Sequence, residues 1–300
     1  MKTWIRRSAL AALGLAGLGL ATLVVGAQLG ERKANRRIAV AVAPVALRDE
    51  AASLARGAYL YASRGCADCH GATGAGQTVV DDGKGLRIVA PNISPAGAAV
   101  ARYGADDWVR TLRHGVKPDG RPLRVMPAED YARLTDADLA AIVAHVRHLP
   151  PVEGAAAVIE MPMLVKALYG AGAIPDAADK IDHTLPPAQP VPEGVTVAHG
   201  AYVAQACIGC HGAGLEGGRI PGAPPDWPAA AKLAPGEGSA MARYADAQAF
   251  VGMLRSGRRP DGSAVSPVMP FAALGALNDT DAQALHLYLA SLPAPRADRH

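Results

Sequence analysis

Cys66-Ala67-Asp68-Cys69-His70 returns as Cys207-Ile208-Gly209-Cys210-His211, and the two motifs use all four cysteines of the 300-residue chain. No thiol is left for a structural disulfide. Shifted by 141–143 residues, much of the chain matches itself. Gly57-Ala58-Tyr59 answers to Gly200-Ala201-Tyr202, Trp108-Val109 to Phe250-Val251, and Leu112-Arg113-His114-Gly115 to Leu254-Arg255-Ser256-Gly257. Pro118-Asp119-Gly120 pairs with Pro260-Asp261-Gly262, Val125-Met126-Pro127 with Val268-Met269-Pro270, and Leu149-Pro150 with Leu292-Pro293. Two homologous domains of about one hundred residues are the simplest architecture.

Each unit reads as short helices joined by loops. The last helix of the first unit carries Leu139, Ile142, Val143 and Val146 on one face, and its counterpart carries Leu285, Tyr288, Leu289 and Leu292. Thr135 with Asp138, and Asn278 with Asp281, are expected caps at their starts. The middle helices should begin near Asp106 and Asp246 and stop at Gly115 and Gly257. No alternating strand pattern of comparable strength appears, so the expected class is all-α. The chain divides into a segment 1–30, a linker 31–50, a domain 51–152, a Pro-rich connector 153–193, a domain 194–293 and a tail 294–300. Prolines should keep the second half of the connector extended, and the apolar stretch Val158 to Leu168 should pack on something, most simply a domain surface, with the membrane or a partner subunit as the other readings.

Two thiols three positions apart, with a histidine next, form the arrangement for covalent c-type haem attachment. The sulfurs add to the porphyrin vinyl groups, and the imidazole becomes the proximal iron ligand. Cys66, Cys69 and His70 would serve one haem, and Cys207, Cys210 and His211 a second. A zinc ribbon would need the two pairs close together, whereas they lie in separate units, and a thioredoxin-like motif would need a βαβ context. With only 13 aromatic side chains against 33 Gly and 24 Pro, a macrocycle would also help to fill the interior.

The second axial ligand should be soft and distant in sequence. Met126 and Met269 occupy matched places, 56 and 58 residues after the histidines. A core side chain is the ordinary role of a methionine, but a core position tolerates Leu, and repetition singles these two out as ligands. Met161, Met163, Met241 and Met253 lack counterparts and read as packing. Arg113 and Arg255, also matched, suit either a haem propionate or the negative end of a helix dipole. Trp108 and Phe250 read as core. His114, His145, His148, His183, His199, His286 and His300 lack repeat partners and read as surface or loop residues, with no catalytic residue among them.

Ser8 to Gly30 is a run of 23 uncharged residues. As a helix it would reach roughly 35 Å, enough to cross a hydrocarbon core about 30 Å thick. A cleaved signal peptide, with Lys2, Arg6 and Arg7 before it and Val25-Gly26-Ala27 as the cleavage site, is the other reading, and either one exports the rest of the chain. Residues 1–37 hold seven Lys or Arg and one acid, which leaves 23 basic and 26 acidic residues in the remainder. A mildly acidic body without a basic stripe argues against nucleic acid as a partner.

The stretch Ala90-Pro91-Asn92-Ile93-Ser94-Pro95, then Trp108 to Gly115, Pro118 to Leu123 and Met126-Pro127, resembles class I-type c cytochromes. The likeness is to the cytochrome subunits of periplasmic alcohol, aldehyde and sugar-acid dehydrogenases. Such subunits often carry three haems, and two motifs are present here. The resemblance implies a membrane-anchored dihaem cytochrome of the bacterial inner membrane. Its single helix would leave the N terminus in the cytoplasm and the haem domains in the periplasm. Electrons would come from a dehydrogenase and pass to a cytochrome, oxidase or quinone site. With His and Met on both faces of each iron no coordination site is open, so single-electron transfer is the expected chemistry. The alternatives are a dihaem subunit of a terminal oxidase and a dihaem peroxidase, the latter requiring a displaceable ligand.

Overall fold

The computed structural model describes residues 2–224 and 226–293; the tail 294–300, with His300, lies outside them. The order of elements is α1 (Lys2–Ala34), α2 (Ala51–Ser63), α3 (Cys66–His70), β1 (Thr78–Asp81), β2 (Arg87–Val89), α4 (Ala105–His114) and α5 (Asp136–Arg147), which complete the first repeat. The connector holds β3 (Val158–Glu160), α6 (Met163–Gly170) and α7 (Ala177–Lys180). The second repeat has α8 (Val197–Val203), α9 (Ile208–His211), α10 (Ala247–Ser256), α11 (Phe271–Gly275) and α12 (Asp279–Ser291).

The caps form as expected. Thr135 Oγ1 accepts the Asp138 amide at 3.1 Å and Asn278 Oδ1 the Asp281 amide at 2.7 Å. Asp246 Oδ1 takes the Ala249 amide at 2.7 Å, and α4 and α10 end at Gly115 and Gly257, both left-handed. Leu60, Val109, Leu139, Ile142, Val143 and Val146 form the buried core of the first repeat, and Val203, Phe250, Leu254, Leu285 and Leu289 that of the second. Matched glycines bring the first and last helices of each repeat together. A Cβ on Gly57 would fall 1.9 Å from the Ala141 carbonyl oxygen, and one on Gly200 1.9 Å from that of Ala284. Glycine thus lets two helix backbones touch.

The all-α expectation holds with one addition. Antiparallel strands β1 and β2 form a hairpin, and β3 pairs antiparallel with β2, Ile88 facing Ile159. The Asp82 carboxylate organises the turn by accepting the Lys84 and Leu86 amides at 2.7 and 2.9 Å. Strands of three or four residues are too short for a period of two to register in the sequence.

The connector departs from its expected form. Its second half contains α7, opened by Asp176, whose side chain accepts the Asp179 amide at 3.2 Å. Ala177 and Ala178 are buried, and the Ala177 amide donates to Leu123 O of the first repeat. Proline spacing cannot reveal this, because the order comes from tertiary partners. Met163 is 47% exposed rather than packed, whereas Met253 is buried and Met241 borders the second core. His114 is buried, and His199 is 2% exposed, in the place that Arg56 holds in the first repeat. Both overturn the surface expectation.

The repeats meet across a pseudo-twofold axis. Tyr59 donates its hydroxyl to Asp281 Oδ2 at 2.6 Å, and the matched Tyr202 donates to Asp138 Oδ2 at 2.6 Å. Each tyrosine oxygen also accepts the backbone amide of the opposing cap residue, Asn278 or Thr135, at 3.3 Å. Arg56 holds Asp138 bidentately at 2.9 and 3.0 Å. Asp281, fully buried, is held by His199 Nε2 at 2.7 Å and Arg64 Nη2 at 3.1 Å. Burial pushes both carboxyls up, but these hydrogen bonds and cations outweigh it and hold them below the ordinary aspartate value.

Candidate haem sites

In the first site, α3 winds Cys66, Cys69 and His70 through a little more than one turn and stops at Gly71. The His70 imidazole is fixed by its own loop. Its Nδ1 lies 2.9 Å from the Pro91 carbonyl oxygen, and since a carbonyl only accepts, Nδ1 carries the proton and Nε2 is left as a bare lone pair. His211 repeats this with Ala231 O at 2.7 Å. Such a bond on the far nitrogen fixes tautomer and ring orientation in a metal-binding histidine. Burial lowers the pKa of both rings, which favours the neutral, ligating form.

Met126 and Cys66 border one hydrophobic core, together with Ile93 and Tyr103, and Met269 and Cys207 border the other. The fold thus gathers each expected methionine and the head of its own Cys-x-x-Cys-His segment at one core. Burial pushes the Cys66 and Cys207 thiols up to about 12, and raises Cys69 and Cys210. A thiol–disulfide exchange motif would have lowered them. A neutral, far-nitrogen-tethered imidazole beside two thiols, the first of them at an apolar core, fits a covalently attached haem.

Arg113 and Arg255 have protein partners. Arg113 binds Asp136 at 3.0 Å and the Leu134 carbonyl at 2.9 Å, with its buried Nε unpartnered, while Arg255 pairs with Asp279. Each ties the end of its middle helix to the start of the last one. Trp108 packs edge-on to Tyr103 with centroids 5.1 Å apart, and Phe250 to Tyr244 at 5.7 Å, inside the two cores.

Sequence reasoning missed the Pro91 and Ala231 carbonyls, because any residue supplies a carbonyl. It also missed how the motifs meet. Asp130, three residues after Pro127, accepts the Gly209 amide of the second motif at 3.0 Å. Asp68 of the first motif lies close to Ala273, at the corresponding place after Pro270. Each Cys-x-x-Cys-His segment therefore abuts the turn that comes after the other domain's methionine. Burial and the neighbouring Glu129 push the Asp130 carboxyl up to about 7.

Residues 52–146 match the family described as cytochrome C oxidase, cbb3-type, subunit III, and residues 197–293 match the cytochrome c family. The chain is a dihaem c-type cytochrome, its two domains each supporting one covalently bound haem c. It is 32% identical over 118 residues to the fructose dehydrogenase cytochrome subunit of Gluconobacter japonicus, covering 37% of the chain and 24% of that protein. Over 276 residues it is 28% identical to the alcohol dehydrogenase (quinone) cytochrome c subunit of Gluconobacter oxydans (strain 621H), covering 81% and 55%. A gluconate 2-dehydrogenase cytochrome c subunit of Pantoea cypripedii is 34% identical over 115 residues, covering 34% and 25%. The chain spans a quarter to about half of the length of these curated relatives.

Proposed function

We propose that the chain relays single electrons from a membrane-associated dehydrogenase toward the respiratory chain through two haems, one in residues 51–152 and one in 194–293. In this reading Cys66 and Cys69 attach the first, with His70 and Met126 as iron ligands. Cys207, Cys210, His211 and Met269 serve the second. A haem iron with His and Met on its two faces supplies reversible one-electron chemistry with no coordination site free for substrate. The observation that carries the reading is the reciprocal placement of the motifs, Gly209 against Asp130 and Asp68 against Ala273. It supports a reading in which the two attachment segments face the domain interface and electrons pass from one to the other there. Tyr59 and Tyr202 hold that interface.

Helix α1 would anchor the chain in the bacterial inner membrane, with the haem domains in the periplasm. Its Thr3–Ala34 stretch is long and apolar enough to cross a membrane. The donor reading rests on the names of the three relatives, all cytochrome subunits of dehydrogenases. A second reading, as a subunit of a terminal oxidase, is favoured by the family that the first domain matches.

A redox-titrated visible and near-infrared spectrum with a pyridine haemochrome count tests the ligand assignment. Two low-spin haems, both with the sulfur-to-iron charge-transfer band, are expected. A high-spin or bis-His haem, or steady peroxide turnover, would overturn it. Co-purification with a dehydrogenase rather than an oxidase core separates the two partner readings.

A further inference from the structure

The last turns of α1 do not leave the body as a free tether. Residues 3–22 are exposed throughout, but Gly26 and Gly30 face α6 at backbone contact. A Cβ on Gly26 would fall 2.8 Å from the Ala167 methyl carbon, and one on Gly30 2.2 Å from the Lys166 carbonyl oxygen. Just beyond, Arg36 grips the fully buried Asp176 at 2.5 and 2.9 Å, Tyr169 donates to the same carboxylate at 2.7 Å, and Lys33 reaches Asp179 at 2.8 Å. Glu31 and Lys166 close the crossing at 2.7 Å. Through α7 this cluster continues into the first haem domain, so α1, α6 and that domain are one packed unit.

The crossing fixes the level of α6. Gly26 lies inside the uncharged run that ends at Gly30, about 6 Å short of its end along the helix axis. The side of α6 turned away from α1 and the domain is apolar, with Leu164 61%, Met163 47% and Leu168 41% exposed. Charges gather past the end of the run instead, at Arg32, Lys33, Arg36 and Arg37.

From this geometry we infer that α6 is a membrane-interface helix, its Met163, Leu164 and Leu168 face lying in the bilayer beside the last turns of the anchor. The inference rests on α1 spanning the membrane. It gives α6 one partner, lipid, because the exposed apolar face lies on the helix that crosses the anchor at the level of its uncharged run. The consequence is a fixed height and tilt for the first haem domain above the bilayer, set by two contacts rather than by a loose linker.

Spin labels on the full-length holoprotein in phosphatidylcholine–phosphatidylglycerol vesicles test it. With the native cysteines engaged as thioethers, Leu164→Cys, Leu20→Cys and Leu185→Cys each add the one free thiol, and the reduced, diamagnetic state avoids broadening by iron. The readout is collision with oxygen, which partitions into lipid, against a water-soluble nickel chelate. The labels at 164 and 20 are expected to favour oxygen several-fold over the label at 185, which sits on the connector beyond α7. A label at 164 that behaves like 185 while the label at 20 stays in lipid would overturn the inference and leave the anchor intact. A label at 20 in water would instead remove the anchor reading, and this inference with it. Gly30→Leu, which pushes against the Lys166 carbonyl, is expected to move the label at 164 toward chelate access.

Discussion

Identical chemistry at matched residues does not carry equal weight in the two domains. Met126→Leu keeps the volume of the side chain and removes its sulfur. The expected result is loss of the charge-transfer band and a lowered potential at one haem, with Met269→Leu doing the same at the other alone, both read in a redox-titrated spectrum. The two arginines differ more. Arg113 is buried and satisfies the Leu134 carbonyl as well as Asp136, so Arg113→Ala should cost about 2 kcal/mol. Arg255 and Asp279 are exposed, and Arg255→Ala should cost no more than about 0.5 kcal/mol. Denaturant unfolding of the two variants checks the contrast. At this scale the candidate cysteines, histidines and methionines are legible in the sequence, because each is a side chain of rare chemistry at a repeated place. It was silent on Pro91 and Ala231, which act through a backbone atom, and it misplaced His199, whose burial depends on Asp281.

Among the elements, the helices were legible and the strands were not. Helix ends carry local signals, such as Thr135, Asn278, Gly115 and Gly257, that act within a turn of their own position. The β1–β2–β3 sheet joins a hairpin to a strand some seventy residues later, and α7 forms because Asp176 finds Arg36. Neither partnership is local. The helix pairs make a sharp test, since Gly57→Ala places a methyl 1.9 Å from a backbone oxygen that has no freedom to turn aside. The helices α2 and α5 must separate, at about 3 kcal/mol, and Gly200→Ala should do the same to α8 and α12. Thermal melts showing less than a few tenths of a kcal/mol for either change would disprove the close packing.

For the whole molecule, the exchange of tyrosines across the pseudo-twofold axis decides how the haem domains face one another. Tyr59→Phe and Tyr202→Phe each remove one hydrogen bond to a buried carboxylate, worth about 1–2 kcal/mol. The double variant should show domains that separate in small-angle scattering, with each haem spectrum unchanged. Acid acts on the same contacts. Asp138 and Asp281 titrate lower in the folded chain than in the unfolded one, so their stabilisation is complete above the ordinary aspartate value of 3.8 and is lost as pH falls through the depressed folded values. The interface should therefore hold across neutral and mildly acidic pH and open only below about 4, which scattering across a pH series would report.

Taken alone, the sequence determined the cofactor class, the number of haem motifs, the helical class and the presence of one long apolar segment, and it nominated the candidate side chains at each site. All of these are carried by residue identity and by spacing along the chain, which survive without knowledge of neighbours. Tertiary structure decided the rest. It turned the connector into an ordered brace between the first domain and α1. It assigned Arg113 and Arg255 to carboxylates, and it set the two haem motifs each against the other domain's post-methionine turn. Those outcomes depend on pairs such as Tyr59 with Asp281 and Arg36 with Asp176, 222 and 140 residues apart, whose energies exist only once the chain has folded back on itself.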